Sequence, residues 1–213
     1  MRATFRAARA ALVFLTRLPV GNSLSSTADH TWAPAHFPLV GLLLGCVLAI
    51  LHSALRRLGT LPDATLVIAV SLVVTGALHE DGLADTSDAL YGASERQRVL
   101  EILKDSRIGT FGACALVVSI VGRIVLLSQL GRAAGWALPI VGCAARVAPV
   151  WQMIALPHLG GPSAKSRHVQ GARMPQALAA TAWFVLASAG LVAFRVVSIG
   201  RMAALGGLLV AVT

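Results

Sequence analysis

The stretch FPLVGLLLGCVLAILHSAL, residues Phe37–Leu55, carries no charged side chain. A hydrocarbon core about 30 Å thick is crossed by an α-helix of about 20 apolar residues, and this stretch has that length and polarity. The helix can start near Pro38, because the first turn of a helix does not use the N–H that proline lacks. Arg56, Arg57 and Gly59 end it, and Pro62 marks the turn that follows.

Similar runs lie further along: about Ala64–Leu78, Phe111–Leu130, Trp136–Leu156 and Ala177–Val197. A last run, Met202–Thr213, is too short to cross a bilayer upright. The pattern predicts an all-α fold, a polytopic membrane helix bundle of about five to six spans in one integral membrane domain, 1–213. Its one strongly polar stretch is HEDGLADTSDALYGASERQRVLEILKDSRIGT, residues 79–110. That segment is expected to form a helix-loop-helix carrying the active site.

Composition agrees. Of 213 residues, 56% are hydrophobic and 13% charged, against about 25% charged in a soluble domain. Mean hydropathy is +0.77. So few charges cannot surface a soluble globule, and so many hydrophobes exclude disorder. The net charge is +9, but the bases are scattered between apolar runs, which argues against nucleic acid as a partner and for a lipid bilayer. Cys46, Cys114 and Cys143 sit inside apolar runs without metal-ligand spacing and read as small buried hydrophobes. The N-terminus, MRATFRAARAALVFLTRLPVG, has a short apolar core broken by Arg17 and no small-residue cleavage site. It reads as a basic amphipathic helix on the membrane face, not as a signal peptide.

Basic residues set the orientation. With the N-terminus inside, Arg2, Arg6, Arg9, Arg17, Arg96, Arg98, Lys104, Arg107, Lys165, Arg167 and Arg173 are cytoplasmic. Only Arg56, Arg57, Arg132, Arg195 and Arg201 face the other side. The excess favours this orientation and places 79–110 at the cytoplasmic face.

Seven of the nine carboxylates fall in that segment: Glu80, Asp81, Asp85, Asp88, Glu95, Glu101 and Asp105. Asp81, Asp85 and Asp88 are spaced i, i+4, i+7, one stripe of a helix. Like charges roughly 6 Å apart repel by about 3 kcal/mol per pair at an effective dielectric near 20. A cation must offset this, and short carboxylates suit a hard divalent ion such as Mg²⁺ that keeps positions open for phosphate oxygens. EILKDSR, residues 101–107, reads as an amphipathic helix whose apolar side is Val99, Leu100, Ile102 and Leu103, with Glu101 and Asp105 one turn apart, both able to face the stripe. Lys104 and Arg107 bracket Asp105 and suit the oxygens of a phosphate ester. Ser106, Gly109, Thr110 and Gly112 form a Ser/Thr/Gly turn feeding a helix, a candidate anion cradle. His79 is a candidate base or ligand. Arg146 lies within an apolar run, where an arginine normally faces a cavity or a partner; Arg123 lies in another and can snorkel along its span.

HEDGLADTSDALYG followed by LEILKDSRIGTFG closely resembles the signature region of the cobalamin synthase (adenosylcobinamide-GDP ribazoletransferase) family. FLTRLP (Phe14–Pro19) and HFPLVGLLLG (His36–Gly45) are similar to that family too, so the resemblance runs to about Leu130. It implies a multi-span inner-membrane transferase that joins adenosylcobinamide-GDP to α-ribazole or its 5′-phosphate and releases GMP, with Mg²⁺, in the last step of the cobalamin nucleotide-loop pathway. The motif aspartates carry over onto Asp81, Asp85 and Asp88, and the second motif onto Lys104, Asp105, Ser106 and Arg107. Joined to the residue reading, this makes Asp81, Asp85 and Asp88 metal ligands. Asp105, Glu101 and His79 become the catalytic set, and Lys104, Ser106, Arg107, Arg17 and Arg146 bind substrate. Ala89 replaces the family's usual glycine. The C-terminus is expected to be short relative to the family, whose chains usually run further. Self-association stays open. The rival readings are a CDP-alcohol phosphotransferase acting on lipids and a cation transporter; the aspartate spacing and the lack of a matching second half argue against each in turn.

Overall fold

The computed structural model describes residues 2–20, 27–105, 107–156 and 172–193. Ser106, most of the 157–175 loop, the end of the fifth apolar run and the run 202–213 lie outside the described residues. All regular structure among the described residues is helical. That is how a chain in hydrocarbon satisfies its backbone polar groups within each segment.

The α-helices are α1 (Arg2–Leu15), α2 (Thr27–Trp32), α3 (Phe37–Leu55), α4 (Thr60–Thr75), α5 (Leu78–Gly92), α6 (Arg96–Ile102), α7 (Thr110–Leu130), α8 (Ala134–Ala144), α9 (Ala148–Ala155) and α10 (Met174–Ala193). They divide between two compact units, one drawn from Met1–Ser53 and Ala133–Thr213, the other Ala54–Arg132. Three described segments are long and apolar enough to cross a membrane: Asp29–Leu58, Thr110–Ala155 and Met174–Ala193. The bent pair α4 and α5 makes a fourth if counted as one span. Thr110–Ala155 has 46 residues, against about 20 for one crossing. Large apolar side chains such as Val47, Ile50, Val118, Leu126 and Leu186 point outward, as a lipid-bathed surface allows.

In the first unit, α1 turns Ala7, Ala10, Ala11 and Leu15 inward, the spacing of one helical face. Arg6 on α1 reaches the buried Asp29 of α2 at 3.4 Å. Phe14 stacks on Phe37, with ring centroids 5.5 Å apart. α3 and α8 touch at glycines. A Cβ on Gly41 would run into the carbonyl of Gly142, and one on Gly45 into that of Leu138. Gly41 and Gly45 form a small-xxx-small step of the kind that lets helices in membranes approach closely. The run 136–156, read as one span, is two helices, α8 and α9, with Arg146 in the break. Pro149 opens α9, and its ring would collide with a carbonyl one turn back if α8 simply continued. Cys143 is buried as expected, whereas Cys46 and Cys114 are exposed.

In the second unit, α4 ends at Gly76 (φ +63°) and Ala77 (φ +55°). Both residues are left-handed, a conformation that glycine adopts freely and alanine rarely. The Ala77 N–H closes the end by donating to the Leu72 carbonyl at 2.9 Å, a common way to satisfy a helix C-terminus. The chain turns through 88° into α5. α7 packs against both α4 and α5. This turn takes the acidic stretch off the axis of the apolar helix that precedes it.

Candidate active site

Asp81, Asp85 and Asp88 all lie on α5, as their spacing predicts. Their surroundings separate them. Asp81 is exposed, Asp85 half-buried and Asp88 buried. Asp88 Oδ2 accepts the Gly109 N–H at 2.7 Å, and Oδ1 accepts the Gly112 N–H at 2.8 Å. Gly109 is the N-cap of α7 and Gly112 lies in its first turn. Those N–H groups lack partners within their own helix and sit at the positive end of its dipole, where a carboxylate is stabilised. The glycines of the candidate anion cradle, Gly109 and Gly112, hold a carboxylate of the chain itself, Asp88, which caps α7.

Glu80, one residue before the stripe, pairs with Arg123 of α7 at 2.8 Å. Glu80 is largely buried, with 11% of its side chain exposed. Arg123 therefore does not merely snorkel along its span; it neutralises a carboxylate on the neighbouring helix. A lone arginine in an apolar run was a visible signal that an acidic partner was needed.

The second motif differs from its expected helix. α6 ends at Ile102, and the next N–H groups make tighter three-residue bonds: Lys104 to Glu101 at 3.1 Å and Asp105 to Ile102 at 2.9 Å. Asp105 therefore lies beyond the helix, and the one-turn pairing of Glu101 with Asp105 on a shared face is lost. Glu101 instead takes Arg98, at 2.9 Å. Asp105 accepts the Arg107 backbone N–H at 3.1 Å and holds its guanidinium through both oxygens, with Nη2 at 2.7 Å. This fork holds the Asp105 carboxyl at about 2, below its ordinary 3.8, and pushes Arg107 up. Lys104 is exposed beside it, and His79 is exposed in the first turn of α5. Ser106 lies outside the described residues.

Arg17 and Arg146 belong to the first unit. Arg17 is exposed beyond the end of α1. Arg146 is half-buried in the break between α8 and α9, and its Nη1 donates to the Gly142 carbonyl at 3.4 Å.

Among the described residues no three His, Cys, Asp or Glu side chains converge as a metal site. Mg²⁺ commonly takes one or two protein carboxylates and completes its shell with water and substrate phosphate oxygens. Asp81 and Asp85, one turn apart on α5, fit such a site. The expected third ligand, Asp88, accepts one backbone N–H at each of its oxygens.

Among the described residues, apolar helices long enough to cross a membrane accompany an acidic helix that is locked onto a glycine-started one, the all-helical pattern of a membrane protein with a polar segment. The family model for cobalamin-5-phosphate synthase matches residues 7–213, and the chain belongs to that family. A Rhizobium etli protein named adenosylcobinamide-GDP ribazoletransferase is 40% identical over 212 residues, 94% of this chain and 79% of the relative. A protein of the same name from Rhizobium johnstonii is 38% identical over 194 residues, 86% of this chain and 72% of the relative. One from Bradyrhizobium diazoefficiens is 44% identical over 146 residues, 66% of this chain. That match spans about half of the relative's length, 54%. No solved structure matches the chain significantly.

Proposed function

We propose that the protein is an adenosylcobinamide-GDP ribazoletransferase of the inner membrane, joining adenosylcobinamide-GDP to α-ribazole or its 5′-phosphate and releasing GMP. The observation that carries this reading is the pairing of the DGLADTSD and KDSRIGTFG motifs in one compact unit, within a chain belonging to the family. In this reading the chain makes about five to six crossings, with 79–110 on the cytoplasmic side, where the excess of arginine and lysine places it.

The chemistry is a displacement at phosphorus. The 3′-hydroxyl oxygen of the ribazole bonds to the phosphorus nearer the cobinamide. The bond from that phosphorus to the bridging oxygen breaks, and GMP leaves with the electron pair. The hydroxyl proton passes to a carboxylate. Asp81 and Asp85 would hold Mg²⁺ against the pyrophosphate. When bound, the ion offsets the charge that gathers on the leaving GMP. Lys104 and Arg107 hold phosphate oxygens, Arg107 as a fork.

Arg107 also governs Asp105. While the fork sits on Asp105, that carboxylate is a weak base. A substrate phosphate that draws the guanidinium away raises its basicity at the moment of need. Glu101 is the other acceptor within the motif, and His79 a third titratable group at the start of α5. Ser106, Arg17 and Arg146 remain substrate-binding residues in this proposal.

Product analysis tests the reading. Purified protein in liposomes, given adenosylcobinamide-GDP and α-ribazole phosphate with Mg²⁺, is expected to yield a cobalamin phosphate and GMP. Turnover of a CDP-linked lipid alcohol, with none of the corrinoid, would assign the chain to lipid synthesis instead.

A further inference from the structure

We infer that Asp88 is a positioning residue: it fastens the second motif to the first by serving as the anionic cap of α7, and it is not a metal ligand. The inference rests on the proposed transferase reading for its kinetic arm and on geometry alone for the other.

The geometry is specific. Both oxygens of one carboxylate accept N–H groups three residues apart, Gly109 at 2.7 Å and Gly112 at 2.8 Å. Asp88 is itself buried, with 8% of its surface exposed. No room is left for a side chain. A Cβ on Gly109 would come within 2.5 Å of Oδ1, and one on Gly112 would overlap Oδ2 and crowd the Ala84 carbonyl. The two glycines are thus the receptor for the aspartate. Replacing either should break the contact as surely as replacing Asp88.

The consequence reaches the reacting groups through the chain. Lys104, Asp105 and Arg107 lie within five residues of Gly109, between the end of α6 and the start of α7. With Asp88 holding Gly109, that short turn is anchored to the third turn of α5, the helix that carries Asp81 and Asp85. The two motifs then keep a fixed spacing. An oxygen engaged by a short, charge-assisted bond to a backbone N–H makes a poorer ligand for a hydrated cation, since binding the ion would weaken that bond.

The test compares Asp88→Asn and Asp88→Ala with Asp85→Asn in the full chain, purified in detergent. The first readout is hydrogen exchange of the amides in 108–113, which requires no turnover. Both Asp88 variants are expected to expose these amides, and Asp85→Asn to leave them protected. The second is steady-state kinetics over a Mg²⁺ titration. Asp88→Asn is expected to lower kcat/KM by about tenfold to a hundredfold, chiefly through KM for the nucleotide-activated corrinoid. Its half-saturating Mg²⁺ should stay within about twofold of the parent's, whereas that of Asp85→Asn rises. A third arm uses Gly109→Ala, whose Cβ would have the Asp88 carboxyl atoms as its three nearest neighbours. It should be damaging alone and nearly silent in the Asp88→Ala background, because the methyl then occupies the space the carboxylate left. A purely global destabilisation would make the two losses add. Unchanged protection in both Asp88 variants, or a Mg²⁺ shift in Asp88→Asn equal to that in Asp85→Asn, overturns the inference. If the parent protein fails to release GMP while the exchange result holds, the transferase reading fails and the capping role stands.

Discussion

Arg123 of α7 lies 2.8 Å from Glu80 at the start of α5. The pair joins the acidic segment to an apolar helix of crossing length. Glu80 is the more deeply buried partner, so the arginine is what makes its charge tolerable there. Arg123→Gln leaves an uncompensated buried carboxylate and should cost about 3 kcal/mol. Glu80→Gln combined with Arg123→Gln should recover most of that loss. Thermal inactivation in detergent, run on the single and double variants, measures both effects. Equal losses in single and double variants would mean that the pair contributes nothing specific.

Asp81 and Asp85 are expected to behave alike, and unlike Asp88. Asp81→Asn and Asp85→Asn should each lower GMP release by at least about 100-fold and raise the Mg²⁺ requirement. Protein yield and helicity should stay at the parent level, because neither side chain is buried. A Mg²⁺ titration of initial rates checks this. Parent-like rates in either variant would remove that residue from the ion.

Asp105 should be ionised across the whole working range. Its carboxyl sits at about 2 in the fold against 3.8 ordinarily. The interaction with Arg107 is therefore fully present above about pH 4 and lost as pH falls through about 2. An acid limb near neutral pH in the rate profile would belong to a group other than Asp105. Arg107→Gln removes the fork and should return the Asp105 carboxyl toward 3.8, seen by NMR titration of a ¹³C-labelled aspartate. A value still near 2 in that variant would mean that Arg107 is not the cause.

The glycines divide into two kinds. Gly41→Ala places a methyl against the Gly142 carbonyl and should destabilise the first unit by about 1–3 kcal/mol. Gly122, within α7, has open space where a Cβ would go. Gly122→Ala should be neutral or stabilising by up to about 1 kcal/mol. Unfolding in detergent distinguishes them, and equal effects would mean that helix propensity, not close approach, sets the cost.

The sequence reveals the helices more readily than their ends. Phe37–Leu55 forms α3 because an uncharged apolar run in hydrocarbon has no better way to satisfy its backbone. The Asp81, Asp85, Asp88 stripe lies on a helix as its period requires. The breaks were harder to see. The 88° turn after α4 depends on left-handed Ala77 following Gly76, and nothing in an alanine announces that conformation. The split at Arg146 was signalled by Pro149 inside an apolar run, which composition alone obscured. The site divides in the same way. Residue type and spacing suggest that the start of α7 receives an anion. They could not show that Asp88, some twenty residues earlier in the chain, is that anion, because that depends on how α5 packs against α7. Likewise, the helical spacing of Glu101 and Asp105 gave way to a local fork between Asp105 and Arg107 that ends the helix register.

The most direct test of the central claim is GMP release by the purified protein in liposomes. It is measured with adenosylcobinamide-GDP and α-ribazole phosphate, in Mg²⁺, then in EDTA, then with Mg²⁺ restored. The account predicts release matched by cobalamin phosphate in Mg²⁺, none in EDTA, and recovery on restoring the ion. Release undiminished by EDTA, or no GMP in Mg²⁺, would contradict it.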